Sequence, residues 1–351
     1  MHSTRDLLSA LRITLYALLL LLVSACTLPP IPATVTATPV IDPFEQNEQL
    51  GQGINLGNML EAPREGEWGL TVRDEYFPAI AAAGFDSVRI PIRWSTHAQT
   101  ESPYTIDESF FERVDHVVAQ ALDAGLLVVI NIHHYEEIMV DPPAHRERLL
   151  GLWEQIAAHY QDAPPDVLFE VLNEPNNKLT AGHWNDLLAA ALEVIRVTNP
   201  TRNVVVGPAN WYNVGWLADL KLPEDEHIIV SVHYYEPFRF THQGAEWVNG
   251  SDPWLGSTWT GEGGQAEAVT RDLQTAASWG EKHNRPINLG EFGAYSKADT
   301  ASRVQWTRHV ARTAEGLGMS WHYWEFGAGF GVYDPAGQEW RVELLDALLP
   351  K

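Results

Sequence analysis

The stretch Val167-Leu168-Phe169-Glu170-Val171-Leu172-Asn173-Glu174-Pro175 decides how this chain is read. Its front is apolar on both faces and too short for a helix, so it reads as a strand buried on both sides that stops at a polar triplet. Seven further runs have the same form: Gln52–Leu56, Ser87–Ile92, Leu126–His134, Asn203–Gly207, His227–Tyr235, Pro286–Phe292 and Ser320–Phe326. Between most of them lie stretches with helical spacing, at Glu108–Ala124, Ala144–Tyr160, Gly182–Thr198, Ala266–His283 and Ala301–Gly318. Eight both-faces-apolar strands separated mainly by helices describe an α/β protein, and closing them gives a (β/α)8 TIM barrel in one domain. An open doubly wound sheet is the alternative. It calls for a Gly-rich turn after the first strand, whereas Gly51-Gln52-Gly53 precedes that strand.

In such a barrel the working residues stand at the C-terminal ends of the strands. Those ends carry, in order, Asn58, Arg89, His133-His134, Asn173-Glu174-Pro175, His233 with Tyr235, Glu291 and Trp324. Alternation along the seventh strand places Glu291 on the face of Ile287 and Leu289, pointing into the barrel mouth. Strands four and seven face each other across that mouth, so Glu174 and Glu291 can flank one scissile bond. Two carboxyls about 5–5.5 Å apart suit a retaining glycoside hydrolase. A pair of separate structural ion pairs is the plainer reading of two such glutamates. Glu170 shares the parity of Glu174 and lies deeper, as a buried hydrogen-bond partner. Glu325 points away and is structural, and Glu136 and Glu137 are solvated loop charges.

Asn173-Glu174-Pro175 after an apolar strand, with Gly290-Glu291-Phe292-Gly293 on a later one, resembles glycoside hydrolase family 5 of clan A. The resemblance covers about Phe44 to Leu349. His134-Tyr135-Glu136-Glu137 and His233-Tyr234-Tyr235 are similar to thermophilic bacterial members that act on both glucan and mannan. What the resemblance implies is a retaining, endo-acting β-1,4-glucanase without a cofactor, with β-1,4-mannan as the alternative substrate. Glu174 then matches the acid/base and Glu291 the nucleophile. Asn173 matches the residue that holds the sugar 2-hydroxyl, while Arg89 and Tyr235 match groups that keep the nucleophile ionised. His133, His134 and His233 match subsite and acid/base-supporting histidines, and Trp324 a stacking platform under the sugar. Asn58, Trp211, His242 and Trp247 match groove residues, with a packing role standing beside each.

Composition narrows the partners. The net charge of −23 argues against nucleic acid, which needs a basic face, and is indifferent to a neutral polysaccharide. Fourteen Trp fit a protein that stacks rings on sugars, although some must fill the core. Two rivals are weaker. A metal-dependent barrel hydrolase is suggested by His133-His134, but neighbouring strand residues face opposite ways and no His-x-His follows the first strand, so no metal site is expected. A non-catalytic sugar-binding protein would have no need of both carboxylates. The catalytic unit is expected to act as a monomer.

The first residues carry Arg5 and Arg12 before the apolar run Ile13–Val23, which is a signal-peptide pattern too short to span a bilayer comfortably. Residues 1–25 are therefore expected to direct export. Val23-Ser24-Ala25-Cys26 resembles a bacterial lipobox, which would make Cys26, the one cysteine, a lipidated first residue. Residues 26–43 hold five prolines and form a semi-rigid spacer before a catalytic domain at 44–351. Such a protein would sit outside the cell on a lipid anchor, its one contact with a membrane. Expressed with its own leader, the protein should then fractionate with membranes, and Cys26→Ser should release it; equal amounts of both in the soluble fraction would reject the anchor.

Overall fold

The computed structural model describes residues 40–350, so the leader, Cys26 and most of the spacer lie outside the described residues. The strands are β1 Gln52–Asn55, β2 Ser87–Ile90, β3 Leu127–Asn131, β4 Val167–Glu170, β5 Val204–Val206, β6 Ile228–Tyr234, β7 Ile287–Phe292 and β8 Ser320–Tyr323. Each pairs in parallel with the next, and β8 pairs with β1, closing the barrel. Every strand lies inside the run that the sequence marks, and each is shorter than that run. Val171 and Leu172 explain the difference at β4: both are fully buried although the backbone has left the sheet, so apolar character outlasts the ladder.

Helices Glu108–Asp123, Pro142–His159, Ala181–Thr198, Gln265–His283 and Thr300–Gly316 cover the outside, as their spacing predicts. Outward strand residues such as Val88, Ile130, Phe169, Val206, Val230 and Leu289 pack under them in the main core. Among the described residues, five further α-helices lie outside the marked stretches, and two of them help to build the frame. Tyr76–Ala83 is apolar at almost every position, which hides any period, and it ends on Gly84 in the left-handed region at φ 106°. Pro43–Leu50 begins where the spacer was expected to finish: Asp42 caps it by accepting from the Phe44 N–H at 2.8 Å, and Pro43 is its first residue.

That first helix closes the bottom of the barrel. Its Leu50 joins Val129, Leu168, Val205 and Ile229 in a small apolar plug inside the strands. Beside the plug the lumen is polar, lined by Ser87, Ser231, Asn288, Ser320 and His322, all buried. Among the described residues no helix is long and apolar enough to cross a membrane.

Candidate active site

Arg89 on β2 is 1 % exposed and organises the top of the lumen. Its Nε and Nη2 donate to the two oxygens of Glu170 at 2.6 and 2.8 Å, a two-pronged pairing. Nη1 donates to Asn55 Oδ1 at 2.8 Å and to Glu291 Oε1 at 2.7 Å, and Nη2 also donates to Asn173 Oδ1 at 2.8 Å. A guanidinium has five N–H groups, and these contacts use all five. Burial works against the charge, but Glu170 and Glu291 outweigh it and hold the Arg89 pKa above its ordinary value. Glu170 thus has a definite partner: it anchors the arginine that faces Glu291.

Glu291 reaches the lumen by a different route from the one its alternation suggests. Ile287 and Leu289 pack outward in the main core, while Asn288 and Gly290 face the lumen. The pairing with β6 runs Val232 to Leu289 and then His233 to Glu291, skipping Gly290; against β8 the same extra residue appears between Leu289 and Phe292. This β-bulge shifts the alternation by one, so Glu291 turns inward after Leu289 has pointed out. The carboxylate faces the mouth because of the bulge, not because it shares a face with Ile287 and Leu289. Tyr235 donates to its Oε2 at 2.9 Å. Burial raises its pKa, while His233, Arg89 and the Tyr235 hydroxyl pull the other way.

Glu174 lies four residues beyond the end of β4, in a left-handed turn at φ 48°. Its side chain is 24 % exposed, the most open of the central groups. Burial raises its pKa to about 8, so it carries a proton at neutral pH. Its Oε1 meets His233 Nδ1 at 2.7 Å, and burial lowers the His233 pKa to about 4, so the ring is neutral. One oxygen of Glu174, one of Glu291 and one nitrogen of His233 lie within 4.8 Å of one another. Carboxyls that admit an attacking water between them stand roughly 6.5–9.5 Å apart, so this pair has the closer, retaining spacing. A cation held by the same three groups would have to part His233 Nδ1 from Glu174 Oε1, which bond to each other.

The other expected residues fall into two sets. Asn173 is buried, and because its oxygen accepts from Arg89, its amide N–H groups are turned to the mouth. His133 lies parallel to Trp324, with ring centres 5.6 Å apart and planes 5° apart; burial keeps it neutral. Trp324 rests over Gly57, where a Cβ would stand 3.0 Å from the indole, so that glycine permits the close approach. His134 is half-buried against the edge of Trp68, and burial lowers its pKa to about 4. These residues line one continuous site.

The second set forms its rim. His242 packs edge-on to Tyr235 and is stacked by Phe238 at 4.1 Å, so it supports Tyr235 from behind. Trp247 is 60 % exposed and Trp211 52 %, the latter with its N–H bonded to Pro175 O. Asn58 sits in a left-handed turn whose N–H is held by Glu61. Glu325 is structural, accepting the N–H groups of Gly327, Ala328 and Phe330. Glu136 and Glu137 open a short helix instead of a loop, and Glu136 pairs with Arg93. Sequence reading missed Asn55, Glu61 and Trp68. Asn55 ends β1 and could have been found as a strand-end polar residue, whereas Trp68 lies in a loop without periodic signal.

Comparison with known proteins agrees with this geometry. The family described as Cellulase (glycosyl hydrolase family 5) matches residues 48–329. Endoglucanase H of Acetivibrio thermocellus is 36% identical over 315 residues, covering 88% of this chain and 34% of that protein. This chain spans about a third of the length of the first curated relatives it matches. The structure of Thermotoga maritima Cel5A with cellobiose is 51% identical with a TM-score of 0.87, over 88% of this chain and 100% of that one; the same enzyme with mannotriose superposes equally well.

The raised pKa of Glu174 fixes a sign. A carboxyl whose folded pKa lies above its unfolded value of 4.5 binds its proton more tightly in the native state, so its contribution weakens as pH rises from 4.5 toward 8. Glu174→Gln should therefore be about as stable as the native protein at pH 5 and more stable, by a few kcal/mol at most, at pH 8. Urea unfolding at both pH values reads this. A variant equally or more destabilised at pH 8 would show the carboxylate to be a structural anchor.

Proposed function

The chain belongs to glycosyl hydrolase family 5, and on that premise we propose that it is a retaining endo-β-1,4-glucanase in which Glu291 is the nucleophile and Glu174 the acid/base. The observation that carries the assignment is the unequal surroundings of two close carboxyls. Glu291 accepts from the Arg89 cation and from Tyr235, whereas Glu174 has only a neutral histidine and holds its proton. One is thus suited to attack and the other to protonate.

The reaction runs in two displacements. A β-glucan chain lies across the mouth with a sugar on Trp324, and its 2-hydroxyl meets the Asn173 amide. Glu291 attacks the anomeric carbon while Glu174 gives its proton to the departing glycosidic oxygen. A covalent α-glycosyl-enzyme forms, and the Arg89 pairing with Glu170 keeps the cation in place as the charge on Glu291 is spent. Glu174, now a carboxylate, takes a proton from water, which attacks the same carbon from the β face. Two inversions give net retention.

β-1,4-Mannan is the second substrate. The support for it is the likeness to Cel5A, whose structure with mannotriose is 51% identical to this chain. Incubating the enzyme with barley glucan, lichenan, soluble cellulose derivatives and galactomannan, then sizing the products, checks both readings. Mixed short oligosaccharides from the glucans are expected from the outset. Release of one product size only, or action on mannan alone, would contradict the glucanase assignment.

Azide rescue with an activated β-aryl glucoside separates the two glutamates. Glu291→Ala should give the α-glycosyl azide, by one inversion in the emptied nucleophile pocket. Glu174→Ala should give the β-glycosyl azide, because the glycosyl-enzyme still forms and azide needs no base. Proton NMR of the anomeric region reads the outcome. Reversed configurations would exchange the roles, and no rescue of either would remove the pair from the chemistry.

A further inference from the structure

Asn55 ends β1 and is 0% exposed, at the joint between the buried cation and the strand that carries Glu291. Its two polar side-chain atoms face unlike partners. Oδ1 accepts from Arg89 Nη1 at 2.8 Å, and the other hydrogen of that nitrogen goes to Glu291 Oε1 at 2.7 Å. Nδ2 donates to Gly290 O at 3.0 Å, and to the carbonyls of His322 and Tyr323 at 3.2 and 3.3 Å. A guanidinium only donates and a carbonyl only accepts, so this amide fits one way round. Its two hydrogens serve three carbonyls, so one is shared.

Those carbonyls lie where the barrel is irregular. Gly290 O belongs to the peptide that leads into Glu291, inside the bulge. Between the pairs Leu289 with Trp321 and Phe292 with Tyr323, β7 carries Gly290 and Glu291 while β8 has only His322. A bulge breaks the regular ladder, and here the peptide ahead of Glu291 is gripped by a side chain from β1, two strands away. Tyr323 O belongs to the peptide that leads into Trp324, whose own N–H donates to Phe292 O at 2.8 Å. One amide thus holds the backbone ahead of both Glu291 and Trp324, and the arm of Arg89 that faces Glu291.

We propose that Asn55 is a positioning residue for the attack by Glu291: its amide ties the bulge that aims the carboxylate to the cation that faces it, and sets both against the Trp324 platform. The side chain is wholly buried, so it acts on a bound sugar only through the groups it holds. The residue type is demanding. Aspartate has the same size and keeps the contact to Arg89, but turns an oxygen toward three carbonyls. Leucine has a similar volume and neither polar function. The inference rests on Glu291 being the nucleophile.

The titratable groups that face Glu291 are Arg89 from β2, Glu174 after β4, His233 from β6 and Tyr235 directly after it. Glu170 of β4 acts on it through Arg89, and His322 of β8 lies with its ring against Ser87 and Asn288. Burial raises the Glu291 pKa and Arg89 lowers it, so a carboxylate that slackens from Arg89 titrates at higher pH. Asn55 carries no charge and bears on this balance through geometry alone.

Asn55→Ala and the equal-sized Asn55→Asp test the inference. Both should lower kcat on barley glucan about tenfold to a hundredfold, as expected when a reacting group is misplaced by about an ångström, with KM unchanged to within about twofold. The acid limb of kcat/KM, which reports the nucleophile in the free enzyme, should move up by about half to one pH unit. The move should be larger in Asn55→Asp, whose carboxylate also competes for Arg89. An activated 2-fluoro-β-glucoside should label Glu291 in the native protein and label both variants more slowly, by a factor similar to the loss in kcat. Thermal melting shows which variants fold. If Asn55→Ala does not, Asn55→Asp carries the test; if neither folds, the residue serves the fold alone and the inference is lost. A folded variant whose pH profile and labelling rate superimpose on the native ones overturns it, as does a rise in KM at constant kcat. Failure of the underlying assignment looks different: the native protein itself would carry its label on a residue other than Glu291.

Discussion

A guanidinium almost wholly buried is the fact around which this barrel is arranged. Arg89 would be untenable in the lumen without acceptors for all five of its N–H groups, and it has them from β1, β4, the turn after β4 and β7. Removing one partner of such a buried pair typically costs on the order of 3–5 kcal/mol, because a charge is left uncompensated. The strands must therefore close in register for the cation to be satisfied. The two-pronged bond from Glu170 fixes the plane of the fork, and with the plane fixed the remaining hydrogens can point only at Asn55, Asn173 and Glu291. Position in the site follows from charge balance in the core.

The same cation divides two chemically identical side chains. Glu291 is 2.7 Å from it and takes a second hydrogen bond from Tyr235. Glu174 stands off across the cleft, where burial dominates and its pKa rises to about 8. Neither pocket alone would make a catalyst. Placed within a few ångströms of each other, in the proposed reaction they would supply a charged group and a proton to opposite sides of one bond. The aromatic residues supply the rest: Trp324 over Gly57 on one side, and the layer of Tyr235, His242 and Phe330 leading to exposed Trp247 on the other.

Much of this is legible in the sequence because the signals are local. β4 opens on Val167, Leu168 and Phe169, β7 is apolar at Ile287, Leu289 and Phe292, and the helix Glu108–Asp123 shows its buried stripe plainly, with Phe110, Val114, Val117 and Ala121 on one face. The site residues stand out because each is a polar or aromatic group at the end of an apolar run. What is not legible is what depends on distance in the chain or on an irregular backbone. Glu170 meets Arg89 across 81 residues and from a strand that is not its neighbour, so no local pattern links them. The bulge at Gly290 is a single residue in a strand whose hydrophobicity does not announce it. Alternation through Leu289 gives the right direction for Glu291 only because two errors cancel: Ile287 and Leu289 face outward, and the unseen bulge then turns Glu291 inward. Tyr76–Ala83 is hidden by being apolar all round.

The division of labour between Glu291 and Glu174 is tested most directly by catching the intermediate. An activated β-glucoside with fluorine in place of the 2-hydroxyl slows the hydrolysis of the glycosyl-enzyme more than its formation, so the covalent species accumulates. Intact-protein mass should then rise by one fluoroglucosyl group, and peptide mapping should place that group on the segment containing Gly290, Glu291 and Phe292, at the Glu291 carboxyl. A label on Glu174, or inactivation without any covalent mass, would contradict the claim that the Arg89-held carboxylate is the nucleophile.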